Sequence, residues 1–98
     1  MGLCYNETYM TVDQWKKKLQ EDGFGELWVH KDPANHTYEE HSHPVDTTHV
    51  VLKGEMMVSV VGKAHVVHEG ERLDIEKNTP HTATIGSKGC TFLIGARM

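Results

Sequence analysis

From residue 26 onward the chain is cut into short extended segments by turn-forming residues, and few architectures tolerate that rhythm. Glu26-Leu27-Trp28-Val29-His30 reads as a strand, and Asp32-Pro33-Ala34-Asn35 as the turn after it. Thr37 to Ser42 reads as extended, Thr48 to Lys53 as a strand closed by Gly54, and Glu55 to Val61 as another. Gly62-Lys63 has the form of a two-residue hairpin turn, with glycine free to take φ > 0. Ala64 to His68 then returns, Glu69-Gly70 turns, and Glu71 to Ile75 alternates, with Leu73 and Ile75 facing in. Lys77-Asn78-Thr79-Pro80 is a loop, followed by strands at His81 to Ile85 and Thr91 to Ala96. Roughly seven or eight short strands at this spacing predict an all-β sandwich or barrel.

The first 25 residues follow a different period. Thr11 can cap a helix and Gln14 stands three residues on, as in a capping box. Val12, Trp15 and Leu19 then form one narrow apolar stripe, and Lys16 to Lys18 lie on a solvated face. Gly23 and Gly25 stop the helix. With 98 residues there is room for one domain. The division is an N-terminal segment with a short helix (1–25) and a β-barrel (26–98).

Ten basic against 14 acidic residues give a net charge of −4, which argues against a nucleic-acid partner. The longest apolar runs, such as Val50-Val51-Leu52, fall far short of the ~20 residues of a membrane-spanning helix. The first residues lack the basic and apolar regions of a signal peptide, so a cytoplasmic location is expected. Cys4 and Cys90 form neither a CxxC motif nor a disulfide framework. Both are expected as free thiols, Cys90 as a small core residue.

Histidine is the one residue type used to excess, at eight positions: 30, 36, 41, 43, 49, 65, 68 and 81. His41 and His43 are two apart in an extended segment and so share a side. His49 shares parity with inward Val51, and His81 with Ala83 and Ile85. Several imidazoles directed into one interior would be costly without partners, and a single metal ion satisfies them together. The candidate metal ligands are therefore His41, His43, His49 and His81. His30, His36, His65 and His68 are read as surface or edge residues.

The order of these features resembles the cupin family. Its first motif, His-x-His followed by Glu and Gly, is similar to His41-Ser42-His43 with six residues between Thr47 and Gly54. Its second motif is similar to Gly70-Glu71-Arg72-Leu73-Asp74-Ile75 followed by Glu76-Lys77-Asn78-Thr79-Pro80-His81. The resemblance covers about residues 26–96 and implies a double-stranded β-helix, or jelly-roll barrel, with family ligands at His41, His43 and His81. Three departures stand out. Thr47 occupies the place of the family's glutamate, Asn78 takes the place of a turn glycine, and Ile85 replaces a final asparagine. Parity offers His49 as a substitute fourth ligand; Asp46 is a second candidate to replace the carboxylate, with the wrong parity unless the loop turns it. The set suits one divalent transition metal, Fe, Zn or Ni.

Two function classes remain open at this point. One is a small metal-dependent enzyme, dioxygenase- or isomerase-like, acting on a small molecule, with Trp28 and Met57 as pocket candidates. The other is a non-catalytic module that binds or senses a small molecule or metal; a vestigial barrel serving as an assembly partner is the blandest version. A homodimer is expected in either case, because open strand edges need covering.

Overall fold

The computed structural model describes residues 10–97. It is an antiparallel all-β barrel with one helix, as the turn rhythm predicts. The elements are α1 (Val12–Glu21), β1 (Glu26–Asp32), β2 (Thr37–His41), β3 (Thr47–Val60), β4 (Lys63–His68), β5 (Arg72–Ile75) and β6 (His81–Ala96). Cys4 lies outside the described residues.

Helix α1 begins as the sequence predicts. The Thr11 hydroxyl accepts from the Gln14 N–H at 3.1 Å, and the Gln14 side chain accepts from the Thr11 N–H at 2.8 Å. Its stripe is narrow, and only Trp15 and Leu19 are buried.

Two strands are much longer than expected. The segments read as separate strands on either side of Gly54 form one strand, and those on either side of residues 86–90 form another. β3 and β6 pair along nearly their whole lengths, with register irregularities between Val51 and Lys53 and between Gly54 and Met56. Gly54 has φ +84 and therefore bends the strand without ending it. A Cβ there would fall 2.1 Å from the Gly89 carbonyl oxygen, so the two strands cross this corner backbone to backbone.

The bend divides one continuous sheet into two halves. In one half β6 from Cys90 onward lies between β1 and the first part of β3, whose other edge takes β5. In the other half β6 up to Ile85 lies between β2 and the last part of β3, whose other edge takes β4. The hairpin from β3 to β4 turns at Val61-Gly62, one residue earlier than expected, with φ +49 and +80. Val60 and Lys63 thus pair directly, as a two-residue turn requires.

The halves enclose a core of Val51, Met56, Val58, Val67, Ile75, Ile85, Cys90 and Phe92. A second core lies outside the barrel, where α1 packs Trp15, Leu19 and Phe24 onto Val50 and Leu93. Adjacent Val50 and Val51 point to opposite faces and are both fully buried, which explains why that stretch of β3 is continuously apolar. Burying Leu19 alone contributes about 1.5–3 kcal/mol. Cys90 is the buried core residue expected of it, and burial pushes its thiol up to about 11. Met57 is exposed and faces away from the barrel; it is its neighbour Met56 that points inward.

Candidate metal centre

The triad forms where β2 and β6 meet. His41 ends β2, His81 begins β6, and the two are direct cross-strand partners. Their rings lie 4.3 Å apart between centroids. His43 sits just beyond β2, with its ring 5.0 Å from that of His41 and 5.4 Å from that of His81. One ring nitrogen from each of the three lies within 4.8 Å of the others.

Backbone carbonyls fix the orientation of two of these rings. His41 Nδ1 is 2.7 Å from the Glu39 carbonyl oxygen, and His81 Nδ1 is 2.9 Å from that of Thr79. A carbonyl oxygen can only accept, so each Nδ1 carries the hydrogen and each Nε2 keeps its lone pair. This is the second-layer arrangement that orients histidine ligands toward a metal. The loop carrying His43 is held as well: its carbonyl accepts the Asn78 N–H at 2.6 Å. Asn78 has φ +60, so it makes the left-handed turn expected of it in place of glycine. Burial, with the charges of His41 and His81, holds the His43 imidazole below its ordinary range. The His43 ring therefore favours the neutral, metal-binding form.

His49 lies in the same cavity but outside this group of three. Its Nδ1 is sealed from solvent and has no hydrogen-bond partner among the described residues. Burial, then the imidazoles of His81, His43 and His41, push it down to about 4. Thr47, at the position of the family's glutamate, is 6% exposed, and its Oγ1 is likewise without a partner. The converging donors are thus all nitrogen. Asp46 is committed elsewhere: its carboxylate accepts from the Lys77 N–H at 2.8 Å and from Arg97 Nη1 at 2.9 Å.

The depressed His49 makes a prediction for the metal-free protein. In the unfolded chain histidine titrates near 6.5, so between pH 6.5 and 4 the unfolded state holds the extra proton and stability falls with falling pH. The loss is expected to approach about 3 kcal/mol by pH 4, from 1.36 kcal/mol for each unit of pKa displacement. Urea unfolding at pH 7 and pH 4.5 should show it, and His49→Leu should flatten the dependence. An unchanged slope in that variant would place its origin elsewhere.

The triad opens onto a cavity of about 420 Å³ between the two halves of the sheet. Its walls are mainly apolar, with Met56, Val58, Ile75, Ile85, Phe92 and Ile94 among them. Trp28 lines it as the sequence suggests, while Met57 does not. His36, His65 and His68 are exposed and stand away from the cavity. His30 is exposed on the edge strand β1, as read, but has a second role. Although exposed, it lines the cavity, and its Nε2 is 2.9 Å from Asp32 Oδ1. Tyr38 lines the cavity beside it and donates its hydroxyl hydrogen to Asp32 Oδ2. The sequence signal for this group was the His30-x-Asp32 spacing, which puts both side chains on one face of a strand.

The comparisons with known proteins agree with this geometry. The profile of the cupin domain matches residues 27–94. No curated relative matches at a significant level. Among solved structures, the DMSP lyase DddQ from Ruegeria pomeroyi superposes with a TM-score of 0.68 at 22% identity. The match covers 74% of this chain and 37% of that one, so the chain spans little more than a third of the lyase's length. Protein NMB1881 from Neisseria meningitidis gives 0.65 at 23% identity, covering 78% and 75% of the two chains. KdgF from Halomonas sp. gives 0.62 at 19% identity, covering 74% and 68%. These likenesses show the fold alone. With the profile matched across most of its length, and with the His41, His43 and His81 geometry at the expected place in the barrel, this chain belongs to the cupin family.

Proposed function

We propose that the protein is a metal-dependent cupin acting on a small molecule, with one divalent transition ion held by His41, His43 and His81. The observation that carries this reading is the pair of carbonyl contacts to Nδ1 of His41 and His81, which leaves Nε2 as the free donor on both rings. An all-nitrogen set suits Zn, Ni or Fe(II) better than Mg or Mn. Three protein ligands with a further position open is the pattern of catalytic sites. In this proposal the ion would take a further donor from His49, whose Nδ1 has no partner among the described residues, and still keep a position open. When bound, the ion would supply Lewis acidity toward an oxygen of the small molecule. The mostly apolar cavity favours this reading over a pure metal store, which needs no such space.

Elemental analysis of untagged protein after dialysis tests the reading. About one Zn, Ni or Fe per chain is expected, retained where Mn and Mg wash out. No metal, even after reloading with each ion in turn, would turn the triad into ordinary pocket groups and leave the non-catalytic binding module.

We also propose a cytoplasmic homodimer. The support is physical: β1 and β4 lie at sheet edges, and Val29 and Val66 on them are about half exposed. Light scattering should give twice the 11.1 kDa chain mass; a monomer at working concentration would remove the proposal. Among the described residues no helix is long and apolar enough to cross a membrane.

A further inference from the structure

Beyond the triad, three groups on the cavity wall can carry a titratable proton: His30, Tyr38 and His49. Among the described residues the lining includes no cysteine, serine, lysine or carboxylate, and its one hydroxyl besides Tyr38, that of Thr47, is sealed from solvent with no partner there. A covalent route through an activated oxygen or sulfur therefore has no residue to use. Proton transfer is the chemistry these side chains can perform.

Only one of the three is equipped as a base. Tyr38 gives its hydroxyl hydrogen to Asp32, and burial together with that bond pushes its phenol up to about 12. It is held as a proton carrier and not as an acceptor. His49 has no group to orient it. His30 has Asp32, with Nε2 2.9 Å from Oδ1. Asp32 is 7% exposed, and its contacts with His30 and Tyr38 bring donors to both of its oxygens. A buried carboxylate needs such donors. His30 therefore carries its hydrogen on Nε2, and its Nδ1 keeps a lone pair. This is the logic of a base oriented by a third group: the carboxylate sets the tautomer and stabilises the imidazolium that forms. The ring stands edge-on to Phe92 at 5.5 Å and is 44% exposed, at the cavity mouth.

We propose that His30 is a general base at the mouth of the cavity, positioned by Asp32, and that it acts on a small 2-oxo acid with a C–H beside the carbonyl. This rests on the metal-centre reading, in which the oxygens of such an acid are directed to the histidine triad and its carbon chain to the apolar walls. In the step, His30 Nδ1 takes the proton from the carbon next to the carbonyl. The C–H electron pair becomes the carbon–carbon double bond of the enolate, and the carbonyl π pair moves to oxygen. The Asp32 carboxylate balances the charge of the imidazolium, whose Nδ1 proton exchanges with water. Return of a proton to the same carbon restores the acid, so nothing is oxidised and no co-reactant is consumed.

The test follows solvent exchange into 2-oxobutanoate in D₂O by the loss of its C3 proton signal, with zinc-loaded protein against buffer containing the same zinc. Protein-dependent exchange is expected. His30→Ala should lower it ~100-fold or more, in line with the contribution of general-base catalysis, at unchanged zinc content and circular dichroism. Free imidazole should restore part of the rate in that variant, because the position opens to solvent; a purely structural role would not be rescued. Asp32→Asn should lower the rate, and His65→Ala, on an exposed face away from the cavity, should leave it unchanged. Zinc uptake without exchange, an unchanged rate in His30→Ala, or loss without imidazole rescue would each overturn the role of His30. Failure to take up zinc would overturn the metal reading itself, and this inference with it.

Discussion

Gly54→Ala is expected to destabilise the fold by about 2–5 kcal/mol, from ~1–2 kcal/mol for the left-handed backbone and ~1–3 kcal/mol for the forced overlap. The added methyl would fall 2.1 Å from the Gly89 carbonyl oxygen at a φ of +84, and neither backbone can retreat without breaking the pairing of β3 with β6. That is a large share of the ~5–15 kcal/mol available to a small domain. Gly62→Ala is the matched control: its φ is +80, but a Cβ there meets nothing within 4 Å. It should cost only the backbone share. Urea unfolding of both variants, followed by circular dichroism, separates the two contributions. Equal losses would show that the corner is not a contact between backbones.

The second large effect concerns the metal. His41→Ala and His81→Ala should each reduce metal affinity by at least ~100-fold, since even changes behind the ligands cost ~10–100-fold. His68→Ala should leave metal content unchanged, because its ring is 60% exposed and pairs with Glu55 and Glu71 away from the cavity. Metal measured per chain after dialysis checks all three. Equal retention would remove the assigned centre.

Much of this molecule was legible in its residues. The capping pair Thr11 and Gln14 marks the helix start, and the His41-x-His43 spacing with His81 on a later inward strand marks the triad. What failed was the reading of breaks. Gly54 has the composition of a terminator, yet its freedom at positive φ is used to carry β3 around a corner. The same freedom joins both parts of β6. The alternation rule correctly put Met57 opposite Val58, so Met57 could not line the pocket, and Met56 was the residue to name. His30 escaped because the sequence shows Asp32 two positions on but not that its carboxylate is buried, and Asp32 reads there as part of a turn. Its partner Tyr38 arrives from the other half of the sheet, which no local pattern reveals.

The unbroken course of β3 and β6 also governs traffic into the cavity. Both halves of the sheet hang on the same two strands, so the walls cannot swing apart without tearing their shared ladder. The width of the space between them is therefore held by the shared pairing of β3 with β6. Passage falls to the rim, where the Asn78–His43 and Lys77–Asp46 bonds latch one loop to another and Arg97 ties Asp46 to the end of the chain. Any widening of the entrance therefore falls to these loop contacts and not to the shared ladder of β3 and β6.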